Sequence, residues 1–306
     1  MTNKVGFIGL GNMGFNMATN LIKKGKQLVV YDINEDAMNR LDQSSIVKAT
    51  SPKDVADQSE VVMVSLPTPQ VVKEVALGEN GLVNGSVIKT YIDLSSSGVD
   101  VSQEVNEVMN QNDISVLDAP VSGGVIGAVN GTLTIMVAGN YELYEEHKQL
   151  LELICKKAMY VDHKVGMAQV MKVINNLLSS SALAITSEAI VLGVKAGLDP
   201  DVMIDILNAS SGRNSATEDK FKKSILNRKF DYGFADTLAY KDLKLCMELA
   251  ENLQVPMLIS NHIVNFWKFV VTQDEPGKDY TNVIRYIEEW AGVTVQSKDV
   301  KEMIEG

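Results

Sequence analysis

The sequence predicts an α/β protein in two parts: a doubly wound, mostly parallel sheet, then an all-α C-terminal domain joined to it by one long helix. Three observations predict this. Apolar runs at 5–8, 28–32, 61–66, 87–93, 114–118 and 133–138 alternate with segments of helical character. A glycine-rich turn separates the first run from the first helix. From Gly166 on, convincing strands stop and helical periodicity dominates to the end. Strands alternating with helices form parallel βαβ units, and continuous apolar runs suit strands buried on both faces. The boundary falls near residues 163–166, giving domains 1–164 and 165–306.

The first element sets the rest. Val5-Gly6-Phe7-Ile8 is a buried strand, and Gly9-Leu10-Gly11-Asn12-Met13-Gly14 follows without a gap. Met17, Ala18, Leu21 and Ile22 then recur at helical spacing up to Gly25, a C-terminal stop. Leu28-Val29-Val30-Tyr31-Asp32 is a second strand ending in an acid. A G-x-G-x-x-G alone is weak, but between a strand and a helix, with an acid after the next strand, it has the context of a Rossmann-type dinucleotide fingerprint. Gly9 permits the tight turn, Gly11 lets a pyrophosphate approach the backbone, and Gly14 lets the helix pack close to the strand. Free N–H groups at the helix start then face the phosphates. Gly9, Leu10, Gly11, Asn12, Met13, Gly14, Tyr31 and Asp32 are the first candidate cofactor residues. Asp32 would accept hydrogen bonds from the ribose hydroxyls and repel a 2′-phosphate, and residues 33–36 hold no Lys or Arg, so NAD is favoured over NADP. A glycine-rich turn with no nucleotide is the competing reading.

The elements continue in order. Residues 35–41 read as a short helix. Ser51-Pro52-Lys53-Asp54 starts another, with an N-cap serine and proline at the first position. The strand at 61–66 ends at Pro67-Thr68-Pro69, and that at 87–93 runs into Leu94-Ser95-Ser96-Ser97. Ligands of such sheets sit beyond the carboxyl ends of the strands, which places residues 9–14, 65–68 with Leu66 and Pro67, Ser96, and the loop after Asp118 around one crevice. Residues 141–154 form a helix. Residues 167–195 form one long helix, Asp199-Pro200 caps the next, and 237–253 and 259–271 are two more. The charged tail at 293–306 is assigned no element.

Composition narrows the function. A chain of 306 residues, 45% hydrophobic, buries a sizeable core. Its net charge of −11 argues against nucleic acid or an anionic membrane as partner, so an anionic substrate needs local positive charge. Cys155 and Cys246 fit no metal or redox spacing and read as reduced core residues of a cytoplasmic protein, and the N-terminus shows no signal-peptide pattern. The apolar stretch 173–194 is broken by Asn175, Asn176 and Glu188, and so reads as a buried helix instead of a membrane span. His147, His163 and His262 are scattered, so no metal site is expected, and no histidine accompanies a candidate serine nucleophile. Glu142, Glu145 and Glu146 read as a solvated helix face.

Two stretches carry candidate chemistry. In Asp118-Ala119-Pro120-Val121-Ser122-Gly123-Gly124, the backbone N–H groups of Ser122, Gly123 and Gly124 can turn inward to hold a small carboxylate; a tight turn without ligand is the alternative. In the long helix, Lys172 is flanked by Val170, Met171, Val173 and Ile174, and Asn176 lies four residues on, on the same face. An apolar setting lowers a lysine's pKa, as a proton donor to a carbonyl oxygen needs; the alternative is a lysine snorkelling to water. Arg213, in a loop between helices, is either a second positive contact for an acidic substrate or an ordinary exposed arginine.

These motifs resemble, in order and over nearly the whole chain, those of the β-hydroxyacid dehydrogenase family, the group containing 3-hydroxyisobutyrate dehydrogenase and 2-hydroxy-3-oxopropionate reductase. Residues 7–14 are similar to its cofactor signature, 118–124 to its substrate motif, 166–176 to its catalytic G-x-G-x-x-x-K-x-x-x-N, and Lys241-Asp242-Leu243 to a fourth motif. The resemblance implies Lys172 as catalytic lysine, Asn176 as substrate-orienting residue, Lys241 as a lysine approaching the cofactor, and Ser96 at the family's threonine near the nicotinamide ribose. Ala168 replaces a motif glycine, and Ser96 keeps the hydroxyl. The implied activity is NAD-dependent interconversion of a small 3-hydroxy acid and its semialdehyde. Competing readings are an inactive nucleotide-binding regulatory protein and an imine-reductase-like enzyme, where the resemblance implies another residue at position 172. A small carboxylate is the expected partner, and apolar helical surface implies a homo-oligomer, dimer or tetramer.

Overall fold

The computed structural model describes residues 4–273 and 277–300. Among the described residues nine strands form one sheet: β1 (Lys4–Ile8), β2 (Gln27–Tyr31), β3 (Ile46–Lys48), β4 (Val61–Val64), β5 (Thr90–Asp93), β6 (Ser115–Asp118), β7 (Val121–Ser122), β8 (Leu133–Gly139) and β9 (Cys155–Asp162). Their order is β3-β2-β1-β4-β5-β6-β8-β7, with β9 pairing β8. The six strands from β3 to β6 are parallel, while β8 runs antiparallel to β6 and β7 and parallel to β9. The chain goes from β1 outward to β2 and β3, then returns to β4 on the other side of β1. The order of strands therefore reverses at β1, which is where open α/β sheets bind ligands.

Alternation along the strands explains why both faces are covered. Phe7, Val30, Met63, Ile92 and Leu117 enter one apolar core, and Ile8, Val29, Val62, Tyr91 and Val116 enter the other. Helix Gly14–Lys23 packs Met17, Ala18 and Leu21 into the first core, and Val99–Gln111 packs Val105 and Met109 into the second. Each Val, Leu, Ile, Phe or Met among them contributes about 1.5–3 kcal/mol by leaving water. Local signals act where expected: Gly25 ends the first helix at φ 83°, and the Ser51 hydroxyl caps Pro52–Ala56 by accepting from Asp54 N–H.

Several elements differ from the sequence reading. The fifth strand begins at Thr90, not 87, because the N–H groups of Val87, Ile88 and Lys89 donate to the carbonyls of Ala56 and Glu60 outside the sheet ladder. Strands β3, β7 and β9 are additions: β3 has only three residues and β7 two, and two register shifts against β8 break the alternation of β9. Helix Pro69–Leu77, with Thr68 as cap and proline at its start, is a further addition. The helices expected at 35–41 and 141–154 end earlier, at Asn39 and Leu151.

Two compact units result, Met1–Val173 and Ile174–Gly306, with their division inside the long helix Met167–Lys195. By length and composition alone this helix is long enough to cross a membrane, and half of its most apolar window is buried. The second unit continues with Pro200–Asn208, a π-helix at Ala216–Ile225, then Asp236–Asn252, Leu258–Gln273 and Val283–Ala291. Asp199 caps the first of these through Asp201 N–H. The π-helix buries Lys220, whose ammonium donates to Ser179 Oγ (3.1 Å) and Ser215 Oγ (2.9 Å) between the rings of Tyr232 and Tyr280; burial pushes its pKa down to about 8. Among the described residues the second unit contains no strand, only an isolated bridge between Ala235 and Asp279. Of the tail, 301–306 lies outside the described residues.

Candidate active site

The parallel register aligns five strand ends in one row: Tyr31, Ile8, Val64, Asp93 and Asp118. The next residues leave the sheet together, so the loops at 9–14, 32, 65–68, 94–97 and 119–124 emerge along one edge. Ser65 N–H donates to Ile8 O (2.9 Å), Leu94 N–H to Val64 O (2.9 Å) and Ala119 N–H to Asp93 O (2.8 Å). Leu66 N–H donates to Ser95 Oγ (2.9 Å), which ties two of these loops. Ser96 is half-buried between them, and Pro67 is exposed.

The three glycines of the first loop differ in a way that bears on a ligand. Gly9 has φ 89°, and a Cβ there would stand 2.2 Å from Ser65 O. A Cβ on Gly14 would stand 1.8 Å from Gly9 O. Both glycines are required by the protein's own packing. A Cβ on Gly11 would meet nothing within 4 Å, so the protein itself does not require that glycine. The helix beginning at Gly14 has no side-chain cap, and its Phe15 N–H donates back to Gly11 O (2.9 Å), so an outside acceptor would meet the N–H groups of the loop before it. Asp32 holds the loop: Oδ2 accepts from Leu10 N–H (2.6 Å) and Oδ1 from Asn34 N–H (2.8 Å). Such an open, uncapped cradle beside an anchored carboxylate fits a dinucleotide, with phosphates at Gly11, Asn12 and Met13 and ribose hydroxyls at Asp32.

A buried polar cluster fixes the start of the long helix to the strand ends. Asp118 Oδ2 accepts from Gly166 N–H (3.0 Å) and Gln169 N–H (3.2 Å), and Oδ1 from Gln169 Nε2 (2.7 Å). Gln169 Nε2 also donates to Ser95 O (3.0 Å), while its Oε1 accepts from Ser97 N–H (3.0 Å) and Gly98 N–H (3.3 Å). Asp93 accepts from Ser95 N–H (2.8 Å) and Ser97 Oγ (2.9 Å). Burial pushes the Asp118 carboxyl up to about 7, with the nearby Asp93 charge adding to it and the Gln169 hydrogen bond opposing it. Lys172, one turn past Gln169, is buried.

The other predicted residues fall as follows. Ser122 ends β7, and Gly123 (φ 128°) and Gly124 (φ 64°) turn the chain into helix Gly124–Asn130; a Cβ on Gly124 would meet open space. In the second unit, buried Asn176 donates through Nδ2 to Asp242 Oδ2 (2.5 Å), and the Lys241 ammonium lies 3.2 Å from Asp242 Oδ1, an ion-pair contact without hydrogen-bond alignment. Arg213 is exposed, with Nε 3.5 Å from Glu218 Oε1. The acidic residues Glu142, Glu145 and Glu146 are exposed, Cys155 and Cys246 are buried and unbridged, and no metal cluster occurs among the described residues. The sequence reading did not single out Gln169, the Asp118 carboxyl or Asp242 as functional. Each lies inside a motif named above, but the hydrogen-bond partners that give it a structural role are remote in sequence.

Comparison with known proteins agrees with this geometry. Residues 4–162 match the family model of the NAD binding domain of 6-phosphogluconate dehydrogenase, and residues 166–287 that of the NAD-binding domain of NADP-dependent 3-hydroxyisobutyrate dehydrogenase. The chain is 38% identical over 291 residues to the probable mitochondrial 3-hydroxyisobutyrate dehydrogenase of Dictyostelium discoideum, covering 92% of this chain and 90% of that one. It is 35% identical over 293 residues to the 2-(hydroxymethyl)glutarate dehydrogenase of Eubacterium barkeri, covering 95% and 97%. Among solved structures, the 3-hydroxyisobutyrate dehydrogenase of Mycobacterium tuberculosis with L-serine superposes with a TM-score of 0.85 at 27% identity, covering 94% of this chain and 99% of that one. With a dinucleotide cradle at the switch point of its sheet and two family models spanning its length, the chain belongs to the β-hydroxyacid dehydrogenase family of oxidoreductases.

Proposed function

We propose that this chain interconverts a small 3-hydroxy acid and its semialdehyde with NAD(H), and that Lys172 holds the proton exchanged with the substrate oxygen. The observation that carries the reading is the Asp118–Gln169 cluster. It anchors the first turn of the long helix to the ends of β5 and β6, and buried Lys172 follows one turn further along that helix, which supports a place for it beside the cofactor loops. The bound nicotinamide would take or give the hydride. In oxidation, the neutral Lys172 amine accepts the hydroxyl proton as the carbonyl forms; in reduction, the ammonium returns it. Asn176, the next turn of the same helix, orients that oxygen. The backbone at Ser122, Gly123 and Gly124 holds the substrate carboxylate, which sets the carbon bearing the oxygen at a fixed place.

NAD is the proposed cofactor over NADP because the Asp32 carboxylate stands where a 2′-phosphate would bring like charge. Relatives named for 3-hydroxyisobutyrate and for 2-(hydroxymethyl)glutarate support a 3-hydroxy carboxylic acid as substrate, with the group on the α-carbon variable. An absorbance assay for NADH over a panel of 3-hydroxy acids, with NAD and NADP in parallel, tests this. Turnover of at least one such acid, faster with NAD, is expected. Reduction of cyclic imines with no turnover of any hydroxy acid would contradict the reaction, and equal use of NAD and NADP would contradict the cofactor preference.

A further inference from the structure

A cavity of about 300 Å³ opens beside the glycine loop, lined among others by Gly11, Asn12, Asp32, Asp36, Ala37 and Arg40. That is room for the adenosine part of a dinucleotide and little more. Arg40 follows the short helix Glu35–Asn39 and is exposed, yet its guanidinium is held. Its Cζ lies 4.3 Å from the centroid of the Phe15 ring, on the helix that starts at Gly14. Among the described residues no carboxylate lies within ion-pair distance of Arg40, although Asp32 and Asp36 line the same cavity.

A guanidinium is planar, delocalised and weakly hydrated, and it stacks on π faces. Arg40 lies over Phe15 and also lines the cavity, which leaves it a face for a flat partner there. Adenine is flat, neutral and rich in π electrons, and it suits that face. A 2′-phosphate does not, because two carboxylates and one guanidinium leave the lining with one net negative charge. We infer that Arg40 is a wall of the adenine subsite, stacking on the base and setting the affinity for the adenosine half of the dinucleotide. This rests on the reading of residues 9–14 and Asp32 as the dinucleotide site.

Calorimetric titration of the unmodified protein and its variants with NAD, NADP, ADP-ribose and nicotinamide mononucleotide tests the inference without relying on turnover. Arg40→Ala should raise the Kd for NAD about tenfold, and that for ADP-ribose by the same factor. Binding of nicotinamide mononucleotide should stay unchanged. Arg40→Lys, which keeps the charge and loses the plane, should recover little of the loss. Phe15→Leu should weaken NAD binding in the same direction by removing the support. Unchanged NAD binding by Arg40→Ala overturns the inference. So does a larger loss for NADP than for NAD that Arg40→Lys restores, since that marks a phosphate contact. Failure of the unmodified protein to bind NAD or ADP-ribose overturns the dinucleotide reading and this inference with it.

Discussion

At the scale of single residues, the glycine loop separates what the fold needs from what the ligand needs. Gly9→Ala forces a Cβ against Ser65 O at a positive φ, and should cost about 3 kcal/mol of stability in a denaturant titration. Gly11→Ala meets no protein atom, so it should leave stability within about 0.5 kcal/mol. Its added methyl group should instead raise the Kd for NAD by roughly one order of magnitude, an overpacking effect confined to the complex. Equal stability losses in both variants would contradict the division of roles. Lys220 adds a pH-dependent term. Its folded pKa of about 8 lies below the ordinary value of 10.5, so the unfolded chain binds the extra proton between these values. Stability from this group therefore rises with pH from about 8 to 10.5, and Lys220→Met should abolish that rise in thermal melts. The glycines were legible in sequence because their constraints are local. Lys220 was not, since its burial comes from Ser179, Tyr232 and Tyr280, brought together only by the folded helices.

At the scale of elements, the start of the long helix depends on one amide. Gln169→Leu would leave Ser97 N–H, Gly98 N–H and one Asp118 oxygen short of a buried partner, a cost of about 3 kcal/mol. The Asp118 carboxyl titrates near pH 7 when folded and near 3.8 when unfolded, so the folded chain holds its proton more tightly. Stability from this group is full below about pH 4 and is lost as pH rises through 7. Asp118→Asn should flatten that decline in melts followed from pH 4 to 8; an unchanged slope would remove Asp118 as its cause. The long helix itself was legible to both its ends, Met167 and Lys195, because no proline falls within it and Gly166 and Gly197 flank it. The strand Cys155–Asp162 was not: exposed Lys156, Lys157 and Met159 and two register shifts erase its period. The π-helix at Ala216–Ile225 has no sequence signature of its own. Helix Pro69–Leu77 did carry a cap-and-proline signal like that at Ser51, and read simply as the end of a strand.

At the scale of the whole molecule, the second unit leaves a stripe of apolar side chains open along the long helix. Leu178 (64% exposed), Ile185 (57%) and Leu192 (71%) stand seven residues apart, one face of the helix. Such a stripe on a chain of net charge −11 predicts a homo-oligomer whose contact covers it. Sedimentation should give a multiple of 33.4 kDa, and the pair Leu178→Glu and Ile185→Glu should return it to that mass; a monomeric unmodified protein would contradict this.

The proposed reaction turns on a proton held by Lys172. The most direct test is the kcat of Lys172→Met on the best acid of the panel, measured with the Kd for NAD. A fall in kcat of about 10²–10⁴-fold with NAD affinity within about twofold is the predicted result. Turnover within about tenfold of the unmodified protein, with NAD still bound, would contradict it.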